Sequence, residues 1–154
     1  MSDAPAPRVS TTHYLPGAPA PVRPEPELDA PYWEGTRRHR LLVQRCRQCR
    51  TWQWGPEWIC HNCLSADLAW TEISQEGVIY SYERVWHPVS PALKEQTPYV
   101  AVLVELPEAG GIRMIGNLLG DSKAEVRIGD KVRAVFEPHD EGEEPYTLVQ
   151  WERV

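Results

Sequence analysis

The four cysteines of this chain fall into two C-x₂-C pairs, Cys46-Arg47-Gln48-Cys49 and Cys60-His61-Asn62-Cys63, with ten residues between them. Two cysteines three apart on a tight turn aim both sulfurs at one point. Two such turns facing each other close a tetrahedral four-thiolate shell, which suits Zn²⁺ and can also take iron. The shell leaves no open coordination position, so Cys46, Cys49, Cys60 and Cys63 are expected to hold a structural rather than a catalytic ion. Redox-active pairs or buried free thiols are the competing reading. His61 is a weak fifth candidate, because a residue directly beside a ligand points away from the ion. Arg50 and Leu64 follow the knuckles where many zinc ribbons place glycine. A module of about 40 residues draws much of its folding free energy from such a metal.

The length of 154 residues suits one domain or two very small ones. Nowhere is there the run of ~18–20 apolar residues that a membrane span needs, and residues 1–26 lack the apolar core of a secretory signal. Four cysteines in such a chain point to a reducing, cytoplasmic setting, where metal binding outranks disulfides. Eight of the fifteen prolines lie at or before Pro31, and residues 1–27 read as a Pro-rich arm, either disordered or ordered by a partner. Asp29 as N-cap and Pro31 in the first turn predict a short helix over about 30–40. Residues 41–45 predict a strand running into the first cysteine. Beyond residue 66 the pattern is β throughout: 68–73, 78–86, 99–106, 112–118, 131–136 and 146–151 are short, rich in Val, Ile, Tyr and Trp, and separated by turn residues. Val132, Ala134 and Phe136 alternate toward a core. Strands at this spacing predict a small closed barrel. The division expected is 1–27 arm, 28–72 helix and ribbon, and 73–154 barrel.

Charge and aromatic residues are unevenly placed. Between Thr36 and Arg50 lie six arginines (Arg37, Arg38, Arg40, Arg45, Arg47, Arg50) and no acid, while the rest of the chain holds ten basic and twenty-two acidic residues. A four-thiolate zinc site carries about −2, which accounts for part of this excess. The alternative is an anion-binding face for the phosphates of nucleic acid or coenzyme A. The predicted barrel has eight basic against fourteen acidic residues, the wrong sign for a non-specific nucleic-acid groove. Five of the seven tryptophans lie in or beside the ribbon, more indole than so small a module can bury. Tyr32, Trp33, Trp52, Trp54 and Trp58 are therefore candidates for a partner surface. No G-x-x-x-x-G-K loop, G-x-S-x-G elbow or H-E-x-x-H helix occurs, which favours a binding module over a self-sufficient enzyme.

Taken in order, several segments resemble one family: Pro31-Tyr32-Trp33-Glu34-Gly35, Leu42-Val43-Gln44-Arg45-Cys46-Arg47-Gln48-Cys49, Trp54-Gly55-Pro56 before the second knuckle, and Trp70. Gly77-Val78-Ile79-Tyr80-Ser81-Tyr82, Thr97-Pro98-Tyr99-Val100-Ala101-Val102, Arg113 with Ile115-Gly116-Asn117, and Ile128-Gly129-Asp130-Lys131-Val132 continue the series. They resemble the small zinc-ribbon/OB-fold proteins that accompany thiolase-like and other acyl-CoA enzymes, over about residues 28–154. Arg50 departs from the family's glycine after the first knuckle. The resemblance implies a mainly β fold with a short N-terminal helix, a rubredoxin-like zinc ribbon with structural Zn²⁺, and a C-terminal five-stranded OB barrel. It implies a non-catalytic accessory subunit in a hetero-oligomer with a thiolase-fold, aldolase or hydratase enzyme acting on acyl-CoA. Acyl-CoA would be shared at the interface, in settings such as steroid or aromatic-acid degradation. Arg37 to Arg50 would serve the CoA diphosphate or 3′-phosphate. A single-stranded nucleic-acid-binding OB-fold protein is the alternative, and a membrane partner is not expected.

Overall fold

The computed structural model describes residues 6–22 and 28–154; the parts of the predicted arm at 1–5 and 23–27 lie outside the described residues. In chain order the elements are β1 (Arg8–Val9), α1 (Ala30–Arg37), β2 (Leu41–Cys46), β3 (Trp52–Gln53), β4 (Leu68–Ile73), β5 (Glu76–Val85), β6 (Tyr99–Leu106), β7 (Ile112–Asn117), β8 (Lys131–His139) and β9 (Tyr146–Arg153). No helix among the described residues is long and apolar enough to cross a membrane.

The second half forms the five-stranded barrel. Antiparallel pairing runs β7-β6-β5-β8-β9, and a parallel bridge from Leu118 to Trp151 closes the ring, with Leu119 N–H donating to Trp151 O at 2.7 Å. This is the OB arrangement, in which the third and fifth strands meet in parallel. Strict alternation on β6 sends Val100, Val102, Val104 and Leu106 inward, and β8 sends in Val132, Ala134 and Phe136, as their spacing predicts. Tyr80 is an extra residue in β5, between pairs Ile79–Val104 and Ser81–Leu103. The bulge bends the strand, so its start pairs with β8 and its remainder runs along β6.

Closure depends on one small residue. A Cβ on Gly116 would sit 2.7 Å from both Trp151 Cδ1 and Val149 O, and Trp151 is fully buried. The indole has nowhere to move, so Gly116→Ala is expected to cost about 1–3 kcal/mol in urea denaturation. The zinc content should not change.

The ribbon sheet has order β3-β2-β4, with β2 paired to β4 from Leu41–Ile73 to Cys46–Leu68. Leu41, Val43 and Ile73 belong to the same buried cluster as the barrel residues, so the two sheets share a core. Helix α1 packs on β2, β8 and β9. It ends at Arg37, short of the predicted 40, because Arg38 and Arg40 N–H both turn back onto Gly35 O at 2.9 Å and His39 adopts a left-handed φ of 57°. A Cβ at Gly35 would meet Leu42 Cγ at 2.9 Å, so the tight return to β2 needs glycine there. Asp29 takes the cap position, yet its Oδ2 accepts from Trp33 Nε1 at 2.8 Å instead of capping the backbone.

The arm expected to be disordered or ordered by a partner is instead seated on its own barrel over part of its length. Arg8 and Val9 pair in parallel with Val135 and Phe136 of β8. A two-residue strand carries no periodicity, so only the folded edge of β8 reveals it.

Candidate metal centre and docking face

The two cysteine knuckles repeat one local structure. Arg50 N–H donates to Cys46 O at 3.0 Å, and Leu64 N–H to Cys60 O at 2.9 Å. Arg50 and Leu64 take φ of 67° and 62°, the left-handed conformation glycine would accept without strain. The knuckle turns therefore keep their geometry without glycine. Backbone N–H of Cys49 and Asn62 points at the sulfurs of Cys46 and Cys60, at 3.5 and 3.4 Å.

The four sulfurs lie within 4.8 Å of one another, with Cys46–Cys63 at 3.6 Å and Cys49–Cys60 at 3.5 Å. A tetrahedron with Zn–S bonds of about 2.3 Å has edges near 3.8 Å, whereas a disulfide requires about 2.05 Å. The donor set and spacing fit Zn²⁺, and Cys46, Cys49, Cys60 and Cys63 are the residues that would hold it. Hydrogen bonding from Thr51, whose Oγ1 is 3.2 Å away, pulls the Cys49 thiol down to about 5. The Ser65 backbone favours the Cys63 thiolate, but burial and the other three sulfurs override it and push that thiol up to about 12. Four thiolates this close need a cation between them.

Two buried glutamines set the loop between the knuckles. Gln44 Oε1 accepts from Glu57 N–H at 3.0 Å, and its Nε2 donates to Glu57 O at 3.0 Å. Gln53 Nε2 donates to Ile59 O at 3.2 Å and its Oε1 accepts from His61 N–H at 2.9 Å, while the two amides bond each other at 3.2 Å. Sequence reasoning missed this pair. No local signal singles it out: Gln44 follows inward-facing Val43, so period-2 alternation would send it to solvent, and its burial breaks that pattern.

The glutamines hold out a loop whose Trp58 and Ile59 face solvent, and Leu64, after the second knuckle, is exposed as well. Trp58 is 61% exposed, Ile59 47% and Leu64 71%. Beside them runs a groove of about 330 Å³ lined by Leu28, Pro31, Trp58, Leu68 and Trp70 among others. Of the aromatic residues proposed from sequence, Trp58 is the exposed one. Tyr32, Trp52 and Trp54 pack against the core. Burial, with Asp29 adding to it, raises the Tyr32 hydroxyl above its ordinary range, and Trp33 is half-buried on Asp29.

The arginine run divides into two groups at opposite ends of β2, a strand roughly 17 Å long at 3.3 Å per residue. Arg37 and Arg38 are exposed at the end of α1, and Arg40 pairs with Glu72 at 2.6 Å. At the cysteine end, Arg45 stacks over Trp52 at 4.6 Å and donates to Arg50 O at 3.1 Å, and Arg47 pairs with Asp67 at 3.0 Å. Arg45, Arg47 and Arg50 line a recess of about 170 Å³ with Cys46, Ala69 and Thr71.

Comparison with known proteins places this geometry. Residues 33–69 match the model of the ChsH2 rubredoxin-like zinc ribbon domain, and residues 70–137 that of the ChsH2 C-terminal OB-fold domain. The chain is 38% identical over 114 residues to a probable enoyl-CoA hydratase alpha subunit of Thermomonospora curvata, covering 72% of this chain and 34% of that protein. It is 32% identical over 118 residues to the 3-oxo-4,17-pregnadiene-20-carboxyl-CoA hydratase alpha subunit of Mycobacterium tuberculosis, covering 76% and 36%. It thus spans about a third of the length of these curated relatives. Among solved structures, a chain of the Ltp2-ChsH2(DUF35) aldolase superposes with TM-score 0.70 at 32% identity, over 85% of this chain and 98% of that one. A DUF35-family protein of Sulfolobus solfataricus shares the fold, with TM-score 0.55 at 15% identity over 80% and 83%. A zinc ribbon joined to an OB barrel, matched by both domain models and by a solved relative over 98% of its chain, makes this chain a member of the ChsH2 (DUF35) family.

Proposed function

We propose that this chain is a non-catalytic accessory subunit that docks on a thiolase-fold, aldolase or hydratase enzyme acting on acyl-CoA and helps form the complex and its CoA site. The observation that carries the reading is the ribbon face of Trp58, Ile59 and Leu64, exposed beside an apolar groove. Exposed indole and aliphatic side chains on a backbone held by buried amides are what a docking surface offers. Zn²⁺ on the four cysteines is structural here, because four protein ligands complete its shell. Relatives named as hydratase alpha subunits, and a solved relative whose name joins Ltp2 with ChsH2, support an assembly with an acyl-CoA enzyme.

CoA phosphates are assigned to the recess of Arg45, Arg47 and Arg50 rather than to Arg37, Arg38 and Arg40. Arg45 is pre-positioned by Trp52, and Arg50 forms no ion pair among the described residues. In the assembled enzyme, Arg45→Ala with Arg50→Ala is expected to raise KM for acyl-CoA about tenfold or more at unchanged kcat, the pattern of lost uniform binding. Arg37→Ala with Arg38→Ala should leave KM within about twofold. Steady-state kinetics of the two double variants decides between the ends of β2.

A further inference from the structure

The edge of β8 under the arm is built like a receptor. Pairing with β5 stops at Arg133. Beyond it, on the same side, Arg8 and Val9 meet Val135 and Phe136, and Ser10 N–H donates to Phe136 O at 2.7 Å. Further groups of the barrel receive the arm: Pro138 O lies 3.0 Å from His13 Nε2, and Val100 N–H donates to Tyr14 Oη at 3.5 Å. Glu152 takes Arg8 through Nε at 2.9 Å and Nη2 at 3.4 Å. Glu137, only 1% exposed, accepts Tyr14 N–H at 3.0 Å. His139 presents its ring face to His13 at 3.9 Å, backed by Tyr146 at 4.5 Å.

These receiving groups are fixed by the barrel independently of the arm. Glu137 is also held by His139 Nε2 at 2.8 Å and Gln150 Nε2 at 3.1 Å, and Gln150 is tied to Asn117. Glu152 accepts from Arg133 at 2.8 Å. Burial pushes its carboxyl up, but Arg8 and Arg133 outweigh burial and hold it below its ordinary range. On the arm side most residues are exposed, 6–9 and 11–13, and only Ser10 and Tyr14 of the segment are half-buried. A pre-set receiving surface opposite a loosely packed segment describes a ligand on a tether better than an integral strand. Both domain models match only residues 33–137, so the arm lies outside what they cover.

We propose that the β8 edge, with Glu137, His139, Tyr146 and Glu152, is a binding site for an extended peptide, occupied in cis by residues 8–14 and able to exchange that segment for a like one in trans. Recognition combines strand addition along Val135 and Phe136 with an arginine subsite at Glu152 and a planar-ring subsite at His139. A short tether supplies a millimolar effective concentration, so the arm stays seated at rest and yields to a like segment at higher concentration.

The test uses the full-length, zinc-loaded chain in solution NMR. In an Arg8→Ala, His13→Ala variant, protection of the Ser10 amide from exchange should fall about tenfold or more, with Val102 and Val104 amides unchanged. A synthetic peptide of residues 6–15 should then shift the Glu137, His139 and Tyr146 resonances saturably in the variant. The wild type, whose own arm competes, should need about tenfold more peptide. Adding His139→Ala and Glu152→Ala to the variant should abolish the shifts. Equal response of wild type and variant, no saturable shift in the variant, or free exchange of Ser10 in the wild type would overturn the proposal.

Discussion

Replacing Cys60 by serine is expected to empty the metal site and unfold the ribbon. Cys60 is fully buried, with its sulfur 3.5 Å from that of Cys49, and the hydroxyl that replaces it is neither a soft ligand nor ionised at neutral pH. Structural Zn²⁺ contributes an apparent binding energy of about 10–16 kcal/mol in small ribbon modules. That is as large as the whole stability of a typical domain, about 5–15 kcal/mol. Since Leu41, Val43 and Ile73 complete the cluster that also contains Val104 and Trp151, loss of the ribbon sheet should uncover the barrel core. Metal analysis should give one zinc per wild-type chain and close to none for Cys60→Ser, and the variant should melt without a cooperative transition. His61→Ala, beside the ligand and exposed, should keep its zinc.

The second large effect concerns assembly rather than folding. Trp58→Asp with Leu64→Asp removes two exposed apolar side chains from the ribbon face. Neither side chain belongs to the buried core, so stability should change by no more than about 0.5 kcal/mol per site. Docking on the partner enzyme should weaken by about 2 kcal/mol or more for the loss of a central indole, roughly thirtyfold. The matching control is Trp54→Ala, which removes an indole packed on the core and should lower thermal stability instead. Binding and melting measured on both variants separate a docking tryptophan from a packing one. Composition alone cannot make that separation.

That contrast marks where sequence reasoning reaches its limit. The C-x₂-C spacing is a local geometric constraint, and the four sulfurs come together as it implies. Alternation in β6 and β8 is likewise local, and Val132, Ala134 and Phe136 are buried in the order their spacing requires. The arginine run does not reveal in sequence that its members divide between opposite ends of an extended strand. The ribbon's tryptophans are ambiguous in sequence because burial depends on the barrel beneath them. Gln44 and Gln53 look like ordinary surface amides until the loop they hold is seen. The pairing of Arg8 and Val9 with β8 joins residues more than 120 positions apart, a contact that no local pattern encodes.

The role proposed for this chain is docking rather than turnover. Co-expression with a thiolase-fold acyl-CoA enzyme from the same organism decides this, with assembly measured by light scattering and acyl-CoA turnover measured for each component and for the mixture. A stable hetero-oligomer is expected, with no turnover by this chain alone and activity in the complex that falls with Trp58→Asp and Leu64→Asp. Turnover of acyl-CoA by the purified chain alone, or a partner that neither binds it nor changes in activity with it, would rule out the docking role.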